Sequence, residues 1–451
     1  MADLSDVFAY IDANADRYVG ELQRLLRQPS VAAQGIGMAE TAALVEGMLA
    51  GVGAAVEQVP TAGFPVVVGR LPSAGERTLG FYNHYDVQPA DPLDEWESDP
   101  WAADVRDGRI WARGAADNKG NIAARIAAVD AWRAVRGDLP LSLLFVVEGE
   151  EEIGSPNLGP FAEANHDAIR ADGWIWEFGG VDVEGRPLIH LGLKGICYVE
   201  LRCRGARTDQ HSSVATSVPN PAWRLVWALA SLKGPDERVL IPGFYDKVKA
   251  PTADELAMLA RVPDTEARRL EHLGIDGFLL GLSGQPLRER DYFQPTCTIS
   301  GILSGYTGEG SKTVLPAAAM AKVDMRLVPD QDPEEIFALL RAHLDAQGFE
   351  DIEMDLLGPE MPARTNASAP VARAVIETAR DLYGEEPVVL PTSSGSGPWY
   401  ELCTRWGMDA CTAGVGHARA NAHGPNENIF VTDYVRGIKH ICAIVDRFAR
   451  G

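Results

Sequence analysis

Acids and imidazoles gather where four apolar stretches of this chain end. Thr78–Asn83 runs into His84-Tyr85-Asp86, and Leu141–Val147 into Glu148-Gly149-Glu150-Glu151-Glu152. Trp174–Trp176 runs into Glu177, and Asp409–Val415 leads to a loop carrying His423. Mixed imidazole and carboxylate ligands suit zinc, with manganese or cobalt as alternatives, and the same groups serve as general acids and bases. Taken singly, each has an ordinary structural explanation. A strand-end histidine such as His84 is more often a hydrogen-bonded rim residue. Here Asp86, two residues on and on the same strand face, could hold its ring as carboxylates orient metal-bound imidazoles. Glu148–Glu152 places four carboxylates in five residues, with no Lys or Arg until Arg170, and alone reads as a solvated acidic turn. It directly follows Leu143-Leu-Phe-Val-Val147, so part of it must lie at a sheet edge. Adjacent carboxylates there raise one another's pKa unless a cation intervenes. Asp117, within Arg113-Gly-Ala-Ala-Asp-Asn-Lys-Gly120, precedes a helix as an N-cap would. The flanking glycines suggest instead that backbone is forced close to something.

The elements that must position these residues follow from periodicity. Asp16–Leu26 and Thr41–Ala50 have helical spacing, Pro65–Arg70 and Thr78–Tyr82 read as short strands, and Asn121–Val135 is an alanine-rich helix before the buried strand Leu141–Val147. This rhythm predicts an α/β fold, a mixed sheet flanked by helices. In open α/β sheets the crevice beyond the carboxyl ends of the strands is where ligands bind, and that is where these acids and imidazoles fall. From Ile196 the rhythm changes. A strand Ile196–Arg204, a helix Pro221–Leu232, a long irregular stretch, strands at Thr296–Ser300 and Ala319–Leu327, a helix Pro333–Gln347 and a strand Asp351–Leu357 suggest a smaller α+β insert. After Arg364 the first rhythm returns through helix Ala369–Tyr383, strand Pro387–Leu390, helix Pro398–Trp406, strand Asp409–Val415 and helix Asp433–Arg450. The expectation is one discontinuous domain, residues 1–195 and 365–451, with residues 196–364 inserted.

Bulk properties narrow the partners. The chain has 451 residues, 41 Lys and Arg against 64 Asp and Glu, and a net charge of −23. So acidic a balance argues against nucleic acid and anionic membrane. The acidic start Met1-Ala-Asp-Leu-Ser-Asp6 is unlike a signal peptide, and no apolar run is long enough for a membrane span. The six cysteines have no C-x-x-C spacing and sit among apolar neighbours, as reduced thiols do, which points to the cytoplasm. Gly305-Tyr-Thr-Gly-Glu-Gly310-Ser-Lys312-Thr313 fails the spacing of a phosphate-binding loop, and Ser394-Gly-Ser-Gly397 that of a nucleophile elbow.

Four motifs together form a recognisable pattern. His84-Tyr-Asp86-Val-Gln-Pro89, Gly114-Ala-Ala-Asp117-Asn-Lys-Gly120, Glu148-Gly-Glu-Glu151-Glu152-Ile-Gly-Ser155 and His423-Gly-Pro-Asn-Glu427 occur in the order and spacing of the M20 metallopeptidases, and the chain most resembles their carnosinase-like dipeptidase branch. The resemblance implies a zinc-peptidase-like catalytic domain with an inserted lid through which two chains form a homodimer. It implies two divalent metal ions per chain, bridged by Asp117, with His84 and Glu177 completing one site and Glu152 and His423 the other. Glu151 would be the general base acting on a shared water, and Asp86 would support His84. In the lid, Asp209-Gln-His211-Ser212 resembles the segment whose histidine reaches the partner subunit's site. Lys312-Thr313-Val-Leu-Pro316 and Val323-Asp-Met-Arg326-Leu-Val-Pro329 resemble those whose Thr and Arg hold a substrate carboxylate, and Gly395-Ser396-Gly-Pro398 a substrate loop. The implied substrate is a small peptide such as a dipeptide. Glu177 stands where many of the family's dipeptidases have Asp, and Glu is usual in the deacylase branches, so an N-acyl amino acid deacylase is the alternative. Ser-Ser-Val-Ala-Thr-Ser after His211 replaces the family's glycine-rich loop. A non-catalytic metal-binding protein is the remaining alternative, and it would be favoured had Glu151 or a ligand been missing.

Overall fold

The computed structural model describes residues 3–451. Its largest sheet has six strands in the order Ala55–Val59, Val66–Leu71, Ser142–Glu148, Thr78–His84, Gly173–Trp176 and Ala410–Thr412. The first two run antiparallel to their neighbours, and the last four are mutually parallel. The parallel register sets His84 beside Glu148, so the carboxyl ends of these strands open on one side of the sheet. Both faces are buried, which is why the strands read as continuous apolar runs rather than alternating ones. Phe81, Phe145 and Ile175 face one core, with the helices Ala15–Leu26, Lys119–Arg136, Pro370–Tyr383 and Val431–Arg450. Tyr82, Val146, Trp174 and Trp176 face the other, with Phe161 and Trp399. Gly80 has a role here: a Cβ on it would lie 2.4 Å from the Trp174 ring.

A separate apolar core lies within residues 197–352. Its sheet orders Thr298–Ser304, Ala318–Leu327, Gly195–Arg204 and Glu353–Glu360, all antiparallel. Cys197, Val199, Leu201, Val323 and Met325 face the helices Pro221–Ala230 and Pro333–Ala346, where Leu225, Leu229, Ile336 and Leu340 meet them. The alternate residues, among them Glu200, Lys322, Asp324 and Arg326, form a polar face on which Lys322 approaches Glu200 and Arg326 approaches Asp324. The chain passes between the two cores at paired short strands, Gly192–Leu193 against Ala363–Arg364. Among the described residues no helix is long and apolar enough to cross a membrane, and all six cysteines are buried and unbridged.

Several elements differ from the sequence expectation. The long irregular stretch after Leu232 contains three helices, Ala253–Ala260, Glu266–Leu273 and Gly284–Phe293. The first carries a capping box, Thr252 and Glu255 bonding each other's backbone N–H. Helix Pro398–Trp406 shrinks to Trp399–Leu402 and a 3-10 turn Thr404–Trp406, broken at Cys403. The strand over Asp409–Val415 keeps only Ala410–Thr412. The apolar stripe on the Pro221 helix splits: Leu225, Leu229 and Leu232 are buried, whereas Trp223 and Val226 are exposed along with Trp227.

One buried cation ties the main sheet together. Arg125 sits on the Lys119–Arg136 helix at 1% exposure. One guanidinium nitrogen donates to the Tyr82 carbonyl and to Asn83 Oδ1 at 2.7 Å; the other donates to the carbonyls of Trp176, Glu177 and Ala413. It thus gathers the carboxyl ends of three parallel strands. Burial brings its pKa down to about 9, opposed by Glu177, so it stays charged at neutral pH. Arg125→Met should cost ~3 kcal/mol or more, because it strands buried acceptors that only a planar fork can reach together. Arg125→Lys should recover part of the loss. Thermal or urea unfolding would check this, and an unchanged transition in Arg125→Met would contradict it.

Candidate metal centre

Beyond the carboxyl ends of the parallel strands, the sequence-singled residues meet around Asp117. His84 Nε2 lies 3.0 Å from Asp117 Oδ1 and 3.6 Å from Glu177 Oε2. His423 Nε2 lies 3.1 Å from Asp117 Oδ2 and 3.2 Å from Glu152 Oε2. The two oxygens of one carboxylate therefore face two different imidazole–glutamate pairs. Donor atoms of His84, Asp117 and Glu152 all fall within 4.8 Å of one another. Two buried carboxylate oxygens, Glu152 Oε1 and Glu177 Oε2, have no hydrogen-bond partner. Buried acceptors are normally satisfied, so a donor set of this kind fits divalent cations. The tautomer fits as well. His84 Nδ1 donates to the Asp86 carbonyl at 3.0 Å, which leaves Nε2 with the lone pair of the neutral ring.

The electrostatics point the same way. Burial, reinforced by Glu177, drives the Glu151 carboxyl well above its ordinary range. Burial likewise pushes Glu177 up to about 8, although His84 opposes it. Burial works against ionised Asp117 too, but the bonds from His423 and His84 outweigh it and hold its pKa low. The bonds to Asp117 and Glu152 raise His423 to about 10. Crowded carboxylates retain protons that bound cations would displace.

The surrounding residues explain how the crowd is held. The strand stops at His84, so Asp86 lies past its end rather than along it. Its carboxylate stands 3.4 Å from His84 Nδ1 and accepts the backbone N–H of Glu151 at 3.3 Å and of Glu152 at 3.0 Å. Asp86 thus fixes the 3-10 turn Glu151–Ile153 as well as the ring. The acidic run divides its work. Glu148 turns inward to accept from Tyr82 at 2.6 Å and Ser155 at 2.9 Å, and Glu150 accepts from Asn157 at 2.7 Å, so only Glu151 and Glu152 face the centre. Asp117 is not a helix cap; Asn118 takes that position, without a capping bond.

Sequence reasoning gave no role to four further residues. Glu427, fully buried, accepts the backbone N–H of Gly114, Ala116 and Asp117 at 2.8–3.0 Å. Arg113 pairs with it at 2.8 Å and also donates to the His423 carbonyl at 3.3 Å. This buried pair joins the Asp117 and His423 loops, in a segment where Asn421, His423 and Asn426 all have positive φ. Asn118 accepts from Asn83 and donates to the Glu177 carbonyl at 2.8 Å. Gln88 donates to Glu152 Oε2 at 2.9 Å. Glu427 had a visible signal, as the last residue of His423-Gly-Pro-Asn-Glu427.

The expected substrate residues lie at two distances. Arg326 donates to Ser396 Oγ at 2.8 Å, and a Cβ on the next residue, Gly397, would stand 3.7 Å from Glu151 Oε1. Arg326 and Ser396 therefore belong to the same neighbourhood as Glu151. Among the described residues, neither Thr313 nor His211 bonds a residue of the centre. Strand Gln210–His211 pairs with Val314–Leu315, the Thr313 carbonyl accepts from Ser212, and the exposed His211 ring meets Ser213.

Comparison with known proteins gives this arrangement its lineage. The profile of peptidase family M20/M25/M40 matches residues 80–447. Among characterised proteins, the Beta-Ala-His dipeptidase of Homo sapiens is 31% identical over 76% of this chain and 71% of its own length. The Cys-Gly metallodipeptidase of Schizosaccharomyces pombe is 30% identical over 76% and 75%. The crystal structure of an M20 family metallo-carboxypeptidase from Sulfolobus solfataricus superposes with a TM-score of 0.92 at 39% identity, covering 96% of this chain and 99% of that one. A match running from the His84 strand to the last helix leaves one assignment: the chain belongs to peptidase family M20/M25/M40 and is a metal-dependent hydrolase.

Proposed function

We propose that the chain hydrolyses the amide bond of dipeptides or similarly short peptides, using two divalent metal ions held by His84, Asp117, Glu152, Glu177 and His423. The observation that carries this is Asp117, whose two oxygens face separate imidazole–glutamate pairs while the neighbouring Glu151 carboxylate makes no hydrogen bond among the described residues. Zinc suits this donor set best, with manganese and cobalt as alternatives. When bound, two such ions would polarise the scissile carbonyl and lower the pKa of an attacking water from 15.7 toward about 7. Glu151 takes the proton of that water and delivers it to the leaving amine nitrogen. Asp86 keeps the His84 ring and the Glu151–Glu152 backbone in place while this happens. Arg326, with Ser396 beside it, binds the substrate's α-carboxylate; Thr313 assists at the same end, and His211 stabilises the developing oxyanion from a neighbouring protomer.

The lid we assign to residues 196–364, inserted between 1–195 and 365–451. Its free edge strand Thr298–Ser304 exposes Ile299, Ile302 and Leu303, and the Pro221 helix exposes Trp223 and Trp227. An unpaired apolar edge of this kind supports a homodimer through the lid. Six unbridged, buried thiols support a reducing compartment such as the cytoplasm. A second reading, carboxypeptidase, is favoured by the 39% identity to the Sulfolobus enzyme. It shares the chemistry and the carboxylate contact, and differs in how far the peptide extends beyond its amino side. The deacylase alternative, suggested by Glu177, differs in the acyl group alone.

Metal-replete protein should carry two divalent ions per chain by elemental analysis and lose activity on chelation. Released-amine analysis on dipeptides, longer peptides and N-acyl amino acids then tests the substrate class, and cleavage confined to N-acyl amino acids would overturn the dipeptidase reading. Glu151→Gln should lower turnover by about 10²–10⁴-fold with metal content nearly intact, whereas Glu152→Gln should weaken metal binding. The reverse pattern would exchange the two roles. Arg326→Ala should reduce kcat/KM for free-acid dipeptides on the order of 10- to 100-fold. Their C-terminal amides should lose far less, and equal losses would count against the carboxylate contact.

A further inference from the structure

Resting on the peptidase reading above, a second feature concerns the space beside Arg326. A cavity of about 370 Å³ is lined in part by Arg326 and by Ser394, in the same loop as Ser396. Four cations line it, Lys194, Lys233, Arg290 and Arg326, against two carboxylates, Glu237 and Asp291. That excess runs against a chain of net charge −23. Both carboxylates are already engaged, Glu237 with Lys233 at 2.7 Å and Asp291 with Arg269 at 2.8 Å. Lys194 is only 4% exposed, and its ammonium donates to the carbonyls of Asp291 at 2.8 Å and Gln294 at 2.9 Å, leaving one of its three N–H bonds free. Arg290 has no ion pair among the described residues. Phe278, Leu279 and Leu287 give the cavity an apolar wall, suited to methylene groups.

A peptide whose α-carboxylate meets Arg326 carries the side chain of that same residue on the adjacent carbon. The side chain must therefore enter a space bordering Arg326, and this cavity borders it. We propose that the cavity receives the side chain of the substrate's C-terminal residue and selects an acidic one, glutamate or aspartate. Lys194 and Arg290 supply the unpaired positive charge, and the apolar wall takes the aliphatic stem. A neutral isostere such as glutamine fills the same volume but leaves both cations without an anion.

The test compares alanyl-glutamate with alanyl-glutamine on the metal-loaded protein. The kcat/KM ratio should favour the acid by about tenfold, fall toward one in Arg290→Gln, and survive in Arg290→Lys. A merely structural lesion in Arg290→Gln would lower both substrates together and leave the ratio unchanged, which would overturn the assignment, as would a ratio near one in the parent. Calorimetry with the free product amino acids gives a second readout: glutamate should bind more tightly than glutamine and lose that advantage in Arg290→Gln. Glutamate should also compete with alanyl-glutamine. Noncompetitive inhibition would mark a separate effector site and refute the substrate pocket. If no dipeptide is cleaved, the dipeptidase reading fails, and the glutamate-against-glutamine binding comparison alone decides this inference.

Discussion

Like charges brought close together without water repel strongly, and the centre of this protein brings together Asp117, Glu151, Glu152 and Glu177 with only two imidazoles among them. Much of the surrounding structure holds that crowd in place. Burial and mutual repulsion raise Glu151 and Glu177, so these carboxyls hold their protons more tightly than exposed ones do. The protein's own cations stay behind the centre instead of entering it. Arg125 is spent on strand carbonyls, that of Glu177 included, and Arg113 is taken up by Glu427. Neither blocks the oxygens that face inward. A site that satisfied every carboxylate with arginine would be more stable as a protein and would have no affinity left for a cation.

The positions of these groups are set mainly by backbone. His84 closes one parallel strand and Glu177 follows another, so the sheet's register fixes their separation. Asp117 and His423 sit on loops, which no sheet restrains. Glu427 solves this by accepting three consecutive-region amides of the Asp117 loop while its partner Arg113 holds the His423 carbonyl. Two mobile-prone connections thereby become one rigid unit. Asp86 performs the corresponding task for the Glu151–Glu152 turn.

Sequence made His84, Glu148–Glu152 and Glu177 legible because three apolar runs stop abruptly at a metal-capable side chain. Periodicity likewise located most strands of the main sheet and most flanking helices to within a few residues, but not the edge strand Ala55–Val59 or the helix Ser5–Ala13. Partners that work through backbone atoms were not legible. Glu427 acts on amides that any residue would supply, and Asp86 gripped a turn whose shape no spacing encodes. Arg125 had no sequence signal to set it apart, because the helix that carries it is buried nearly all round at its start. The helices between Leu232 and Thr298 escaped because they are largely exposed and lack a continuous apolar stripe; Glu266–Leu273 buries no residue at all. One of them carried a signal that passed unread, the Thr252–Glu255 capping box.

The relation between the two apolar cores bears on substrate length. Arg326 projects from the polar face of the second sheet, whereas Ser396 and Glu151 belong to loops of the first. The Arg326–Ser396 bond spans the two, and Gly397 then abuts Glu151. Under the proposed roles, a carboxylate bound at Arg326 lies close to Glu151, with little chain between them. With those roles, the spacing favours cleavage one residue from the carboxyl end, whichever acyl group lies on the other side. Dipeptides, longer peptides trimmed at the C-terminus and N-acyl amino acids all meet that condition. The walls around the amino side, not the cleavage machinery, must therefore separate them.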